Sequence, residues 1–273
     1  IAQIGVALRN EISPRQGPIR LREFTIMEFE FFYDPTEPSC PSISEMAGRQ
    51  IRILPLQLRN KGIEEPITAT IREILDDRFV LSEWMAYFMA LSQQFLSDLG
   101  VPEKNQRFHE KSPTERAHYS SQTYDHEVVL DRWGWTEVAG HANRSNHDLS
   151  GHMKESGLDL SVFKRYDTPV IREEKVVRAV DSAIGPAFKS DAVTVRKLLE
   201  QAKSVDVEQS IRERGFYMAD KFKILPAHVK FDSVEVKEAG RRFVPEVVEP
   251  SFGAERLMYA ALEYAYTPVS YTH

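Results

Sequence analysis

The 273-residue chain contains a single cysteine, Cys40, so neither an internal disulfide framework nor a cysteine-rich zinc site can be built from it. A reducing, intracellular compartment is the simpler expectation, and the cytoplasm the specific one. Long apolar runs are missing too. None approaches the roughly 18 residues of a membrane span, and no secretory signal is visible, so no membrane partner is expected. Excess positive charge is also absent: 35 Lys and Arg face 41 Asp and Glu, for a formal net charge of -6. That excludes a generally basic nucleic-acid coat while leaving room for a local basic patch. Neither an internal repeat nor a low-complexity tract is found. The first residues, Ile1, Ala2, Gln3 and Ile4, lack a Met and fall in the middle of strand-like sequence, so a fragment, or a chain whose start lies upstream, is expected.

What is present is ample material for a core. Hydrophobic residues make up 42% of the chain and charged ones 28%, which suits one large domain or two smaller ones rather than global disorder. Residues 3 to 11 and 20 to 32 predict two strands, and the SPRQGP between them supplies turn chemistry through Pro14, Gly17 and Pro18. Together they read as a long antiparallel hairpin. Residues 77 to 99 predict a helix, with Leu81, Trp84, Met85, Phe88, Phe95, Leu96 and Leu99 at helical spacing and Gly100 and Pro102 as its stop. Core packing is the expected role of that stripe. WGWTEVAGHANRS, from 133 to 145, reads as a strand running into a turn. Residues 150 to 243 are less regular, with a helix over 190 to 203 capped by Ser190 or Asp191 and short strand-like runs such as VKFDSVEVKEAG. VPEVVEP then predicts a buried strand and SFGAERLMYAALEYAY a helix with Ser251 as its candidate cap.

The hairpin is unusual in its charges. Because strand side chains alternate, Arg20, Arg22, Phe24, Ile26, Glu28 and Glu30 share one face, while Arg9 and Glu11 share a face of the preceding strand. The order is basic, aromatic, then acidic. Guanidinium forks suit phosphate oxygens, an aromatic plane suits a nucleobase, and carboxylates suit an ammonium. The same pattern equally suits an exposed hairpin laced by cross-strand ion pairs worth roughly 0–1 kcal/mol each. The EPSFGAER segment, 249 to 256, adds a second cue: a strand ending in an acid passes into a helix whose N-terminus attracts anions, with Arg256 in its first turns.

Read together, these two segments resemble motifs 2 and 3 of the class II aminoacyl-tRNA synthetases. Motif 2 appears as Leu8, Arg9, Asn10 and Glu11, a loop, then Arg20 through Phe24; motif 3 appears as Gly253 and Arg256 opening a helix. Leu8 replaces the Phe or Tyr usual in the family. The wording of RNEISPRQGPIRLREFTIMEFEFF, GWTEVAGHANRSNHDLSGH and VVEPSFGAERLMYAALE is similar to the catalytic domain of the dimeric, α2-type glycyl-tRNA synthetases of archaeal or eukaryotic kind. RFHEKSPTERAHYS and SAIGPAFKSDA match more weakly, in the same order.

The resemblance implies an α+β fold, an antiparallel sheet flanked by helices, with a mixed α/β insertion between motifs 2 and 3. It implies catalytic-core parts at 1–149 and 244–273, and an insertion at 150–243 that meets the tRNA acceptor stem. The implied activity joins glycine to the 3′ end of tRNA(Gly) through glycyl-adenylate, in a homodimer. Arg9 and Arg256 are the implied catalytic residues. ATP would be held by Arg9, Asn10, Glu11, Arg20, Leu21, Phe24, Glu137, Val138 and Arg256, with Mg²⁺ on Glu137. Glycine would be held by Glu28, Glu249, Pro250, Ser251 and Arg144.

Zinc is not expected: His141, His147 and His152 lack the spacing of a helical ligand pair, and Cys40 is remote in sequence. The family's motif 1, its glycine-sensing acidic loop and its anticodon-binding domain find no counterpart in these residues, so a chain limited to this stretch is expected to lack full activity and the native dimer. Two alternatives remain: a synthetase-like paralogue that binds nucleic acid or a partner without aminoacylation, and a class II synthetase of other specificity.

Overall fold

The structure, a computed structural model, describes residues 1–12 and 14–267. In chain order the first elements are β1 (Ala2–Leu8), β2 (Glu23–Phe29), β3 (Phe31–Tyr33), α1 (Ile43–Met46), β4 (Gln50–Leu54), α2 (Leu56–Arg59), β5 (Ile67–Thr70), α3 (Ile71–Asp76), α4 (Glu83–Asp98), β6 (Gln106–Glu110), β7 (Gln122–Leu130), β8 (Gly134–Ser145) and α5 (His147–Ser156). Then come β9 (Val162–Ala179), α6 (Asp181–Phe188), α7 (Ala192–Gln201), α8 (Ser204–Arg214), β10 (Tyr217–Ala219), β11 (Phe222–Ile224) and β12 (Val229–Phe243). β13 (Glu246–Gly253) and α9 (Ala254–Ala265) close the described chain. Two compact units result: Ile1–Val162 with Phe243–His273, and Phe163–Arg242.

The first unit carries a sheet of nine strands among the described residues, ordered β1-β2-β13-β8-β7-β6-β4-β5, with β3 also paired to β13. Its pairings are antiparallel except for β4 with β6. The expected α+β architecture, an antiparallel sheet flanked by helices, is what forms. Alternation gives the sheet two unlike faces. Ile51, Ile53, Phe108, Tyr124 and Val248 are buried on one face, against Met85, Ala86, Phe88 and Met89 of α4 and Ile71 and Ile74 of α3. The Trp84 and Phe88 rings also meet Phe31, at centroid distances of 4.2 and 5.4 Å, so the aromatic stripe is core packing.

Several boundaries differ from the sequence reading. The long helix starts at Glu83 rather than at 77, because Ser82 accepts the Met85 amide hydrogen at 3.4 Å and caps it, which leaves Leu81 outside and 56% exposed. The second strand breaks at Glu30, where pairing passes from β2 to β3, and it begins only at Glu23, so Arg20 and Arg22 precede it. Within the hairpin β1 is the edge strand, exposed at Ile4, Val6 and Leu8, and β2 lies between it and β13. The expected turn runs from 13 to 18; Ser13 lies outside the described residues, and Gly17–Ile19 form a single 3₁₀ turn. Ser251 is no helix cap. β13 continues through it, because it pairs with Glu28 of β2 and Gly140 of β8, and Gly253 takes the capping position.

The second unit is more regular than its sequence suggested. β9 and β12 form a two-stranded ribbon, with α6, α7, α8 and the β10–β11 hairpin beside it in sequence. α7 starts at Ala192 after a short turn, with Asp191 at its cap position. Val177, Ile184, Val195, Leu199, Val207, Ala219, Ile224 and Val229 make its core. Much of β9 is exposed, so its strands show no apolar alternation to read.

Candidate active site

A cleft opens on the polar face of the sheet, where three segments far apart in sequence meet. It is lined by Arg9, Glu11, Arg20, Leu21 and Phe24 of the hairpin, by Glu137, Val138 and Gly140 of β8, and by Ser251, Gly253, Glu255 and Arg256 at the β13–α9 junction. Register explains the convergence. β2 lies between β1 and β13, with Ala7 opposite Phe24 and Gly253 opposite Ile26. β8 flanks β13 on the other side, with Gly140 opposite Ser251. A bulge in β8 follows Glu137, which shifts its pairing with β7 between Glu127 and His126. Such a bulge re-aims the side chains around it.

The polar groups are held rather than loose. The Arg9 guanidinium lies 5.3 Å from the Phe24 ring centroid, and its backbone N–H donates to the Arg22 carbonyl at 2.8 Å. Arg20 Nη2 pairs with Glu11 Oε2 at 2.8 Å, and Arg22 Nε donates to the Glu11 carbonyl at 2.9 Å. Asn10 is exposed beside them. Arg256 is not the exposed helix arginine its sequence position allowed. Its Nε donates to the Ile19 carbonyl at 3.0 Å and its Nη1 to the Glu137 carbonyl at 2.6 Å and carboxylate at 3.3 Å. It thus ties the motif 2 loop to β8. Glu255, which the sequence reading missed, accepts the Thr25 amide hydrogen at 2.9 and 3.0 Å on its two oxygens. Its carboxyl is held below the ordinary range by that bond, although burial acts the other way. The sequence cue available was only an acid in the first turn of a helix.

A second polar group continues along the same face. Glu28 accepts from the Gln3 side-chain amide across β1–β2 and sits in register with Ser251. Glu249 accepts from Arg144, whose Nε and Nη2 donate to Asp148 at 2.9 and 2.6 Å and whose guanidinium lies 4.2 Å from the Tyr119 ring centroid. Both pKa values of the Arg144–Glu249 pair are raised, which favours the charge on Arg144 and disfavours it on Glu249. Burial works against the charge on Arg144, but the bonds to Glu249 and Asp148 outweigh it and keep the guanidinium protonated. Burial pushes the Glu249 carboxyl up, with Glu28 and Glu30 adding to the push, despite Arg144. A group with more negative charge than its one guanidinium neutralises is a place for a cation. Pro250 falls on the opposite, buried face in register with His141, so it shapes the strand rather than lining this group. Asp125, on β7, is pushed up to about 6 by burial and by Glu137, against Lys111.

Of the three histidines singled out, His141 is fully buried, with neither ring nitrogen hydrogen-bonded, while His147 and His152 lie on α5. No group of three or more His, Cys, Asp or Glu side chains that could hold a metal ion occurs among the described residues. Among the described residues no helix is long and apolar enough to cross a membrane.

No family model matches the chain. Curated relatives do. A glycine–tRNA ligase of Aeropyrum pernix is 46% identical over 271 residues, covering 98% of this chain and 46% of that protein. Those of Methanothermobacter thermautotrophicus and Pyrococcus horikoshii are 38% and 37% identical over 265 and 270 residues, covering 96% and 98% of this chain and 46% and 47% of theirs. A solved Giardia lamblia prolyl-tRNA synthetase in complex with prolyl-adenylate aligns over 96% of the chain and 28% of its own, at 11% identity and a TM-score of 0.39. The chain spans about half the length of the curated relatives it matches and is homologous, along nearly all of its residues, to that half of these glycine–tRNA ligases.

Proposed function

We propose that the chain is the catalytic portion of a glycine–tRNA ligase, which joins glycine to ATP as glycyl-adenylate and passes it to the 3′ end of tRNA(Gly). The observation that carries this reading is the convergence of Arg9 and Phe24, Glu137, and Arg256 on one cleft, beside the acidic group of Glu28 and Glu249. Adenine would stack on Phe24, and Arg9 would hold the α-phosphate and offset the charge that develops as the glycine carboxylate attacks phosphorus and pyrophosphate leaves. Asn10, Glu11, Arg20, Leu21 and Val138 would complete the nucleotide site. Arg256 would face the nucleotide while bracing the loop. The ammonium of glycine would enter the surplus of carboxylates, and Ser251 would close the floor. Arg144, engaged by Glu249 and Asp148, would orient Glu249 and reach the glycine carboxylate by releasing Asp148. No side-chain base is needed, because that carboxylate is already a nucleophile; positioning and electrostatics carry the step.

Glu137 fits a magnesium ion in the usual manner for nucleotide sites, where one or two carboxylates act together with substrate phosphates and water rather than an all-protein cage. Its side chain is 42% exposed and engaged only on Oε2 by Arg256 among the described contacts. Bound there, Mg²⁺ would neutralise phosphate charge. Acceptor-stem contact by residues 150–243, a homodimer and a cytoplasmic location complete the reading.

The test is pyrophosphate exchange into ATP by the full-length protein with each amino acid in turn. Exchange dependent on glycine alone is expected. Exchange supported by another amino acid and not by glycine overturns the specificity, and the absence of any ATP uptake in a calorimetric titration favours a binding-only paralogue.

A further inference from the structure

On the polar face of the sheet, Asp125 is an acid that the site above does not use. Asp125 is only 8% exposed, and its Oδ1 pairs with Lys111 Nζ at 3.0 Å. It stands in register with Gly140 of β8, and Gly140 stands in register with Ser251 of β13. A Cβ built on Gly140 would meet no atom within 4 Å. Between Ser251 and Asp125 the floor is therefore open across two strand spacings, roughly 10 Å. The nucleotide end of the cleft lies toward Phe24 and Arg256, and the ammonium end toward Glu28 and Glu249. Gly140 lines the cleft between these ends, and Asp125 lies one strand beyond it in register. A carboxylate held on one side by an ammonium keeps lone pairs to accept from a hydroxyl, the contact acidic side chains commonly make to ribose.

We propose that Asp125 and Lys111 form a ribose-hydroxyl subsite, in which Asp125 accepts a hydrogen bond from a sugar hydroxyl lying over Gly140 while Lys111 fixes the carboxylate. The proposal rests on the glycine–tRNA ligase reading. Two riboses take part in that reaction, that of ATP and that of the terminal tRNA nucleotide, and the position across Gly140 from Ser251 favours the second. In the transfer step the terminal hydroxyl oxygen bonds to the glycyl carbonyl carbon. The bond from that carbon to the phosphate oxygen breaks, AMP keeps the electron pair, and the hydroxyl proton passes to solvent. Asp125 orients the hydroxyl.

The experiment uses the full-length protein and measures two reactions separately: glycine-dependent pyrophosphate exchange, and single-turnover transfer from preformed glycyl-adenylate to tRNA. For Asp125→Ala, transfer is expected to slow about 10- to 100-fold, the loss of one hydrogen bond to a charged group. The KM for ATP in exchange should stay unchanged, and Asp125→Asn, which keeps an acceptor, should fall between. A raised KM for ATP with unchanged transfer assigns the subsite to the ATP ribose instead. Unchanged kinetics in both reactions overturns the proposal, as does an equal loss in both with KM unchanged. Should Asp125→Ala fail to fold, the paired change of Asp125→Asn with Lys111→Met removes both charges at nearly constant volume and is read by the same criteria. Wild-type protein that exchanges no pyrophosphate with glycine sinks the ligase reading rather than the subsite.

Discussion

The two faces of the nine-stranded sheet are spelled by the same alternating strands, yet they handle polar groups in opposite ways. On β7, Tyr124, His126, Val128 and Leu130 are fully buried, while Asp125 and Glu127 lie on the polar face beside Lys111 and Arg107 at 3.0 and 2.6 Å. The buried face keeps its histidines neutral: burial lowers His141 to about 3 and His126 well below the usual range. The polar face pairs its acids with cations, as Glu127 with Arg107, and where burial outweighs the pairing, as at Glu249, the deficit is one a ligand cation could fill. One face therefore determines whether the chain folds, and the other what it can hold.

Four substitutions would break or sharpen that contrast. Phe108→Ala on the buried face should cost about 3–5 kcal/mol in a urea titration, as truncating a core aromatic does, since Phe108 is 1% exposed. Arg9→Ala on the polar face should lower glycine-dependent exchange by about 10²- to 10³-fold, the scale of removing one donor to a developing charge, with the thermal midpoint unchanged. A lowered midpoint, or retained exchange, would collapse the distinction between the faces at this residue.

The third test is pH dependence. A histidine whose folded pKa lies below its unfolded value contributes stability above the unfolded value and loses it as pH falls toward the folded one. For His141 that window runs from 6.5 down to about 3. His141→Phe should then be more stable than the wild type at pH 4 by on the order of 2–3 kcal/mol relative to any difference at pH 8, measured by urea midpoints. Asp125 acts with the opposite sign: its contribution is complete below 3.8 and is lost as pH rises through about 6. The smallest effect belongs to a helix end on the buried side. Ser82→Ala should cost about 1 kcal/mol, the usual worth of an N-cap, and should leave exchange untouched.

Periodicity made the long helix legible because Met85, Phe88 and Leu96 recur at its spacing, but not its start, which Ser82 sets by a single side-chain bond. β13 was legible as an apolar run; its extension through Ser251 was not, because partners on both sides, not local sequence, keep it extended. The ribbon of β9 and β12 was missed for want of a buried stripe. At the candidate site, charge order along β2 pointed to Phe24 and Glu28. For Glu255 the local sequence offered only an acid in a first helical turn and no sign of its bond to Thr25, which spans 230 residues of sequence, and nothing local pointed to Asp148 and Tyr119 around Arg144.

The residues by themselves determined the chemistry on offer: guanidinium, aromatic and carboxylate groups in a fixed order on one strand, and an acid-to-helix junction ending in Arg256. Alternation alone fixed which of the β2 groups from Phe24 onward shared a face, since a strand has a period of two. Only the tertiary structure decided that Arg256 would be bound to the Ile19 and Glu137 carbonyls instead of solvent, and that Gln3, Glu28, Ser251, Gly140 and Asp125 would form one row across five strands. Register between strands far apart in sequence sets such a row, and register follows from which faces can be buried together.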